Sequence, residues 1–117
     1  SPGMVAAGPL LFVSGQGPLR DGEIVPGTVE EQVALTLENL RAVLLAAGAD
    51  LGDVVRCGVY LADIGDFEAM DRVYAAFFPE PRPARTTVGA ALLGIAVEID
   101  CVAVLREAHP VSETFTA

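Results

Sequence analysis

No lysine occurs among the 117 residues, so all seven cationic side chains are arginine. That absence removes the amine that forms Schiff bases with carbonyl substrates or pyridoxal phosphate, and carbonyl or imine chemistry here must proceed without a covalent bond to a lysine nitrogen. Histidine is nearly absent too. The one copy, His109, stands beside Pro110 in the polar C-terminal stretch, away from any periodic segment, and is expected to be exposed and idle. The two cysteines, Cys57 and Cys101, have neither a C-x-x-C nor a metal-ligand spacing. Both sit inside apolar alternating segments, which predicts buried structural thiols and argues against zinc or redox motifs. No run of about 18 apolar residues appears and no signal-peptide pattern heads the chain, so a soluble, cytoplasmic protein is expected.

Basic charge is scarce as well. Sixteen acidic residues against seven basic ones leave a formal charge of −9, a balance that repels phosphate backbones unless the few cations cluster. Nucleic acid is therefore a poor first partner. A hydrophobic content of 52% over 117 residues suits one core, and residues 1–117 read as a single domain.

Short apolar segments at 4–7 and 10–14 flank Gly8-Pro9 and predict an opening hairpin, followed by a loop over 15–27 rich in turn residues. Thr28 with Glu31 fits a capping box, and Val33, Leu37, Leu40, Leu44 and Ala47 recur at helical spacing until Gly48 stops the helix. Residues 54–62 alternate as a strand. Asp66 is placed to cap a second helix with Phe67, Met70, Val73, Tyr74 and Phe77 as its inward stripe, ended by Pro79. Pro79, Pro81 and Pro83 hold the next stretch extended, and strands over 84–91 and 95–105 complete the order β-β-α-β-α-β-β.

That order predicts two helices covering a sheet of five or six strands. Two right-handed crossovers running the same way across the sheet place both helices on one face. The other face then carries Tyr60, Val102 and Val104, which should not all meet water, so an oligomer is expected.

Glu98 and Asp100 share one face of the last strand between apolar neighbours, as Arg85 and Thr87 share a face of the preceding one. Buried carboxylates need a donor, a cation or a shifted pKa. A hairpin turning near Leu93-Gly94 would bring Arg85 onto the same face as both acids, with Asp100 the nearer, whereas a one-residue register change would separate them. Such a group is either a structural ion pair or a site in which an unpartnered guanidinium takes a substrate carboxylate while an acid relays a proton.

A series of short motifs resembles the RidA/YjgF family: residues 11–16 with Pro18, Gln32 and Asn39-Leu40, 46–48, 53–55, 60–63, Asp66-Phe67, 74–78, Pro83-Ala84-Arg85 and 97–100. The resemblance implies a chorismate-mutase-like α+β fold, a mixed sheet with two helices on one face, assembled as a homotrimer with clefts between subunits, and hydrolysis of reactive 2-imino and 2-enamino acids to 2-keto acids and ammonia. It implies that Arg85 binds the substrate carboxylate, Glu98 positions or activates water, Ser14 and Gly15 line the cleft, and backbone near Thr87 holds the ligand. No metal or organic cofactor is implied. Thr87 stands where many relatives carry cysteine, and Asp71 where asparagine is common, adding a negative charge that would weaken binding of an anion. Some relatives are described as endoribonucleases or translation inhibitors, and a non-catalytic binder of small 2-keto acids is a third possibility.

Overall fold

The computed structural model describes residues 1–106 and 113–117. His109, and the expectation attached to it, lie outside them. The elements in chain order are β1 (Leu10–Gln16), β2 (Leu19–Arg20), β3 (Glu23–Ile24), α1 (Val29–Ala46), β4 (Val54–Leu61), α2 (Phe67–Phe77), β5 (Ala84–Gly89) and β6 (Val97–Val104).

Helix α1 begins and ends where its sequence signals stand. Glu31 N–H donates to the Thr28 hydroxyl at 3.1 Å, and Thr28 N–H donates to the Glu31 carboxylate at 2.9 Å. Two backbone donors at the helix start are thereby satisfied. At the other end Gly48 adopts φ +81°, and Gly48 and Ala49 N–H donate to the carbonyls of Leu45 and Leu44. This pattern closes the last turn and requires a left-handed residue that glycine supplies without a Cβ clash. Val33, Leu37, Leu40, Leu44 and Ala47 are all buried.

The main sheet has four strands in the order β1-β6-β4-β5. β6 runs antiparallel to both β1 and β4, and β5 runs parallel to β4. The steps β1 to β4 through α1 and β4 to β5 through α2 advance in the same direction, so both helices cover one face. There Cys57, Val59, Leu61, Val97, Ile99, Cys101 and Ala103 pack against the helices. On the opposite face Leu10 and Phe12 are 48% and 71% exposed, and Tyr60, Val102 and Val104 are half-buried. The apolar bare face expected from strand parity is present.

Four expectations fail. Residues 4–7 form no strand, because β1 takes β6 as its partner and Gly8 turns the chain at φ +121°. The loop over 15–27 contains a small hairpin, β2 with β3, turned by Asp21 and Gly22 at φ 53° and 79°. Both turn residues in the left-handed region suit the twist of a two-residue hairpin. Further, β5 and β6 do not pair. The connection between them steps across the end of β4, with Ala90 N–H donating to Leu61 O and Ala62 N–H donating to Ala96 O. β6 then enters between β1 and β4, where it has a hydrogen-bonding neighbour on each side, which a terminal hairpin would have denied it. Among the described residues the sheet has four strands, not five or six.

Candidate functional site

Arg85 lies on β5, an edge strand, with Cys57 of β4 as its cross-strand partner, so its side chain leaves on the helix-covered face. Helix α2 passes over it and presents Phe67, Asp71 and Tyr74, spaced so that they share one face. The guanidinium carbon stands 4.6 Å from the Tyr74 ring centroid and 5.4 Å from that of Phe67. Both distances lie within reach of the attraction between a cation and an aromatic face. Arg85 Nη1 donates to Asp71 Oδ1 at 2.7 Å. A cavity of about 290 Å³ opens beside this group, lined by Asp71, Tyr74, Ala75, Arg82, Pro83 and Arg85 together with Ser1.

Periodicity assigns Phe67 and Tyr74 to the core stripe. Tyr74 is buried and Phe67 exposed, and both flank the guanidinium. Their spacing of seven with Asp71 between them is a signal legible only once the helix is known to cross Arg85. Asp66 heads α2 without a side-chain cap bond, while Asp63 accepts from Gly65 N–H one turn earlier. Thr87, two residues from Arg85 on the same strand face, has a buried hydroxyl with no hydrogen-bond partner among the described residues.

The other expected residues gather on the bare face. Val13 pairs with Cys101 and Gln16 with Ile99, so Ser14 and Gly15 form a bulge opposite the single residue Asp100. Bulges bend a strand and re-aim its neighbours. A Cβ on Gly15 would come within 2.7 Å of the Glu98 carboxyl carbon, so glycine is what lets the carboxylate lie against the strand. Asp100 is satisfied internally: Gly58 N–H donates to Oδ1 and the Tyr60 hydroxyl to Oδ2, each at 3.0 Å. That bond pushes the Tyr60 phenol up, since its proton is held by a carboxylate.

Arg85 therefore does not share a face with Glu98 and Asp100. Register aligns Arg85 with Cys57 and Cys57 with Cys101, whereas Glu98 and Asp100 pair with Tyr60 and Gly58 on the reverse side. The hairpin that would have joined them is absent. Nor is the guanidinium unpartnered, because Asp71 holds one of its donors. Within one chain the expected residues fall into two half-sites, Arg85, Asp71 and Thr87 on one side and Ser14, Gly15 and Glu98 on the other.

Among the described residues no group of three histidines, cysteines or acids could hold a metal ion, and no helix is long and apolar enough to cross a membrane. Residues 1–105 match the family model described as Endoribonuclease L-PSP. The chain belongs to the RidA/YjgF (endoribonuclease L-PSP) family. It is 46% identical over 104 residues to the mitochondrial protein mmf2 of Schizosaccharomyces pombe, covering 85% of this chain and 82% of that one. Against the chloroplastic Reactive Intermediate Deaminase A of Arabidopsis thaliana it is 40% identical over 105 residues, covering 86% of this chain and 56% of the relative. The crystal structure of RidA from the Antarctic bacterium Psychrobacter sp. superposes with a TM-score of 0.78 at 34% identity, covering 86% and 85% of the two chains. This family member thus has the α+β RidA fold, with two helices on one face of a mixed sheet.

Proposed function

We propose that this chain, a single domain over residues 1–117, hydrolyses small 2-imino and 2-enamino acids to 2-keto acids and ammonia. The work would be done in the cytoplasm, at clefts between the subunits of a homotrimer. The observation that carries this reading is the Arg85 guanidinium, oriented by Tyr74 and Phe67 beside a cavity with, among the described residues, only one of its donors taken. A planar guanidinium with free donors takes a carboxylate in a bidentate grip. An imine is already electrophilic, so holding its carboxylate and placing one water are the main tasks left to the protein.

The two half-sites support an assembly of several copies, for which the proposal takes the homotrimer. Glu98 faces away from Arg85 in the same chain, so a water held by Glu98 can reach a ligand on Arg85 only if another copy supplies it. A closed ring, in which the bare face of each subunit meets the β5 edge of the next, joins every Arg85 to a foreign Glu98 and covers Phe12. In that arrangement Ser14 and Gly15 line the cleft beside Glu98, and Thr87 with its backbone borders the ligand on the Arg85 side. Deamination is also the activity in the name of the Arabidopsis relative.

The family description also names an endoribonuclease, but this member is poorly suited to RNA. Its charge is −9, and among the described residues five of its seven arginines are ion-paired with acids, leaving little cationic surface to track a backbone. Ammonia release from freshly generated 2-iminobutyrate tests the proposal. Arg85→Ala is expected to lower it by at least ~100-fold, on the scale of losing a positioned charged contact, without loss of assembly. Wild-type rates in that variant would overturn the assignment, and 2-ketobutyrate binding without turnover by the native protein would leave a binder in its place.

A further inference from the structure

Asp71 gives the Arg85 cavity a second, opposite pole. Its Oδ1 accepts from Arg85 Nη1 at 2.7 Å, its side chain is 46% exposed, and it lines the same cavity. A lone arginine would attract any small anion. With a carboxylate in contact beside it, attraction and repulsion act on an incoming monoanion from nearly the same distance, and much of the attraction cancels. The arrangement is different for a ligand that carries both charges. In a protonated 2-imino acid, the carboxylate and the cationic nitrogen flank a single carbon. The cavity wall offers donors of Arg85 and an acceptor of Asp71 in direct contact, a matching pair of opposite sign.

We propose that Asp71 is a specificity-determining residue that selects ligands bearing a cationic nitrogen next to the carboxylate and disfavours simple 2-oxo acids. The proposal rests on Arg85 being the carboxylate anchor. It bears on turnover as well as on binding. Hydrolysis converts the iminium carbon, a water and the carboxylate into a 2-keto acid and an ammonium ion. Water oxygen becomes the keto oxygen, the C–N bond breaks, and nitrogen leaves with both of the water's protons. The ligand thereby loses its cationic pole while still in the cavity, and the remaining monoanion faces Asp71 uncompensated. Asp71 would thus favour departure of the product over its retention.

The experiment compares two ligands of nearly equal shape, 2-aminobutyrate, which carries the cation, and 2-hydroxybutyrate, which does not. Their affinities are measured by calorimetry on the assembled native protein and on Asp71→Asn, which keeps an oxygen able to accept from Arg85 and removes only the charge. The native protein is expected to bind 2-aminobutyrate about tenfold more tightly, roughly the effect of 1.4 kcal/mol. In Asp71→Asn the preference should fall to about twofold or less, with 2-hydroxybutyrate binding improved, and product inhibition by 2-ketobutyrate should strengthen several-fold. An unchanged preference in the variant would overturn the inference, as would a native protein that prefers 2-hydroxybutyrate, a result that needs no variant to fold. Arg85→Ala separates the two levels. If it loses both ligands while Asp71→Asn alters nothing, the anchor stands and the role of Asp71 fails. If it binds both as the native protein does, the anchor itself is wrong.

Discussion

Cys57 and Cys101 face each other across β4 and β6 beneath the Arg85 region, both buried and free. Burial pushes the Cys57 thiol up to about 11 and moves the Cys101 thiol in the same direction. Since the thiolate is the reactive form, Cys57 should react with a disulfide reagent at neutral pH about 100-fold more slowly in the folded protein than after unfolding, and Cys101 should be slowed in the same direction. Comparable rates in the two states would refute the burial argument. The same shift has a stability consequence with a definite sign. Between the ordinary thiol value of 9.0 and about 11, the unfolded chain releases a proton from Cys57 that the folded chain retains. Stability is therefore complete below pH 9 and declines as pH rises through that window, which urea unfolding at pH 8 and pH 10.5 would measure. The buried state of these thiols was legible from strand alternation alone, because apolar neighbours two residues apart put both on one face.

Helix α1 shows how far local signals reach. Its cap, stripe and glycine stop lie in contiguous sequence, and each appears where its local chemistry requires. Thr28→Ala should lower the unfolding free energy by about 1 kcal/mol, and Thr28→Ser should restore most of it, read as shifts in denaturant midpoint at constant slope. A loss below about 0.3 kcal/mol would mean that the cap adds little beyond packing. Gln32 and Asn39 carry a different lesson. Gln32 is buried in α1, where it accepts from Ala96 N–H at 2.9 Å and donates to Val25 O. Asn39 donates to the carbonyls of Gly17 and Leu19. Each ties α1 to a segment distant in sequence, the connection into β6 and the start of the small hairpin. Resemblance singled out these two residues, but no helical period could have said what they hold. The prediction of a β5–β6 hairpin failed for the same reason. A short connection is compatible with pairing to the adjacent strand or with a step over it, and only the vacancy between two parallel strands, β1 and β4, decides.

For the whole molecule, the division of the expected site between two sheet faces means that, under the proposed function, catalysis would be a property of the assembly. Arg85→Ala and Glu98→Gln variants, each inactive alone, should regain activity when unfolded together and reassembled at equal ratio. In a randomly mixed cyclic trimer about a quarter of the clefts pair an intact Arg85 with an intact Glu98. Mixtures that stay as inactive as their components would show that the two residues act within one chain or not together, and a native protein that sediments as a monomer would remove the cleft altogether. Exposed Phe12 and Leu10 belong to the same prediction. Substituting Phe12 by Glu should weaken assembly, since a charge would be buried where the bare face is covered.

The sequence by itself determined both helices, the four long strands and the faces of their residues, because capping, glycine stops and the periods of helix and strand are properties of neighbours along the chain. It also determined the absence of lysine chemistry and the acidic balance. Tertiary structure decided which strands became neighbours, that Arg85 passes beneath α2 to meet Asp71, Tyr74 and Phe67, and that Glu98 faces the opposite way. Those outcomes depend on where β6 is inserted, a choice governed by backbone hydrogen bonding across the whole sheet, which no local pattern encodes.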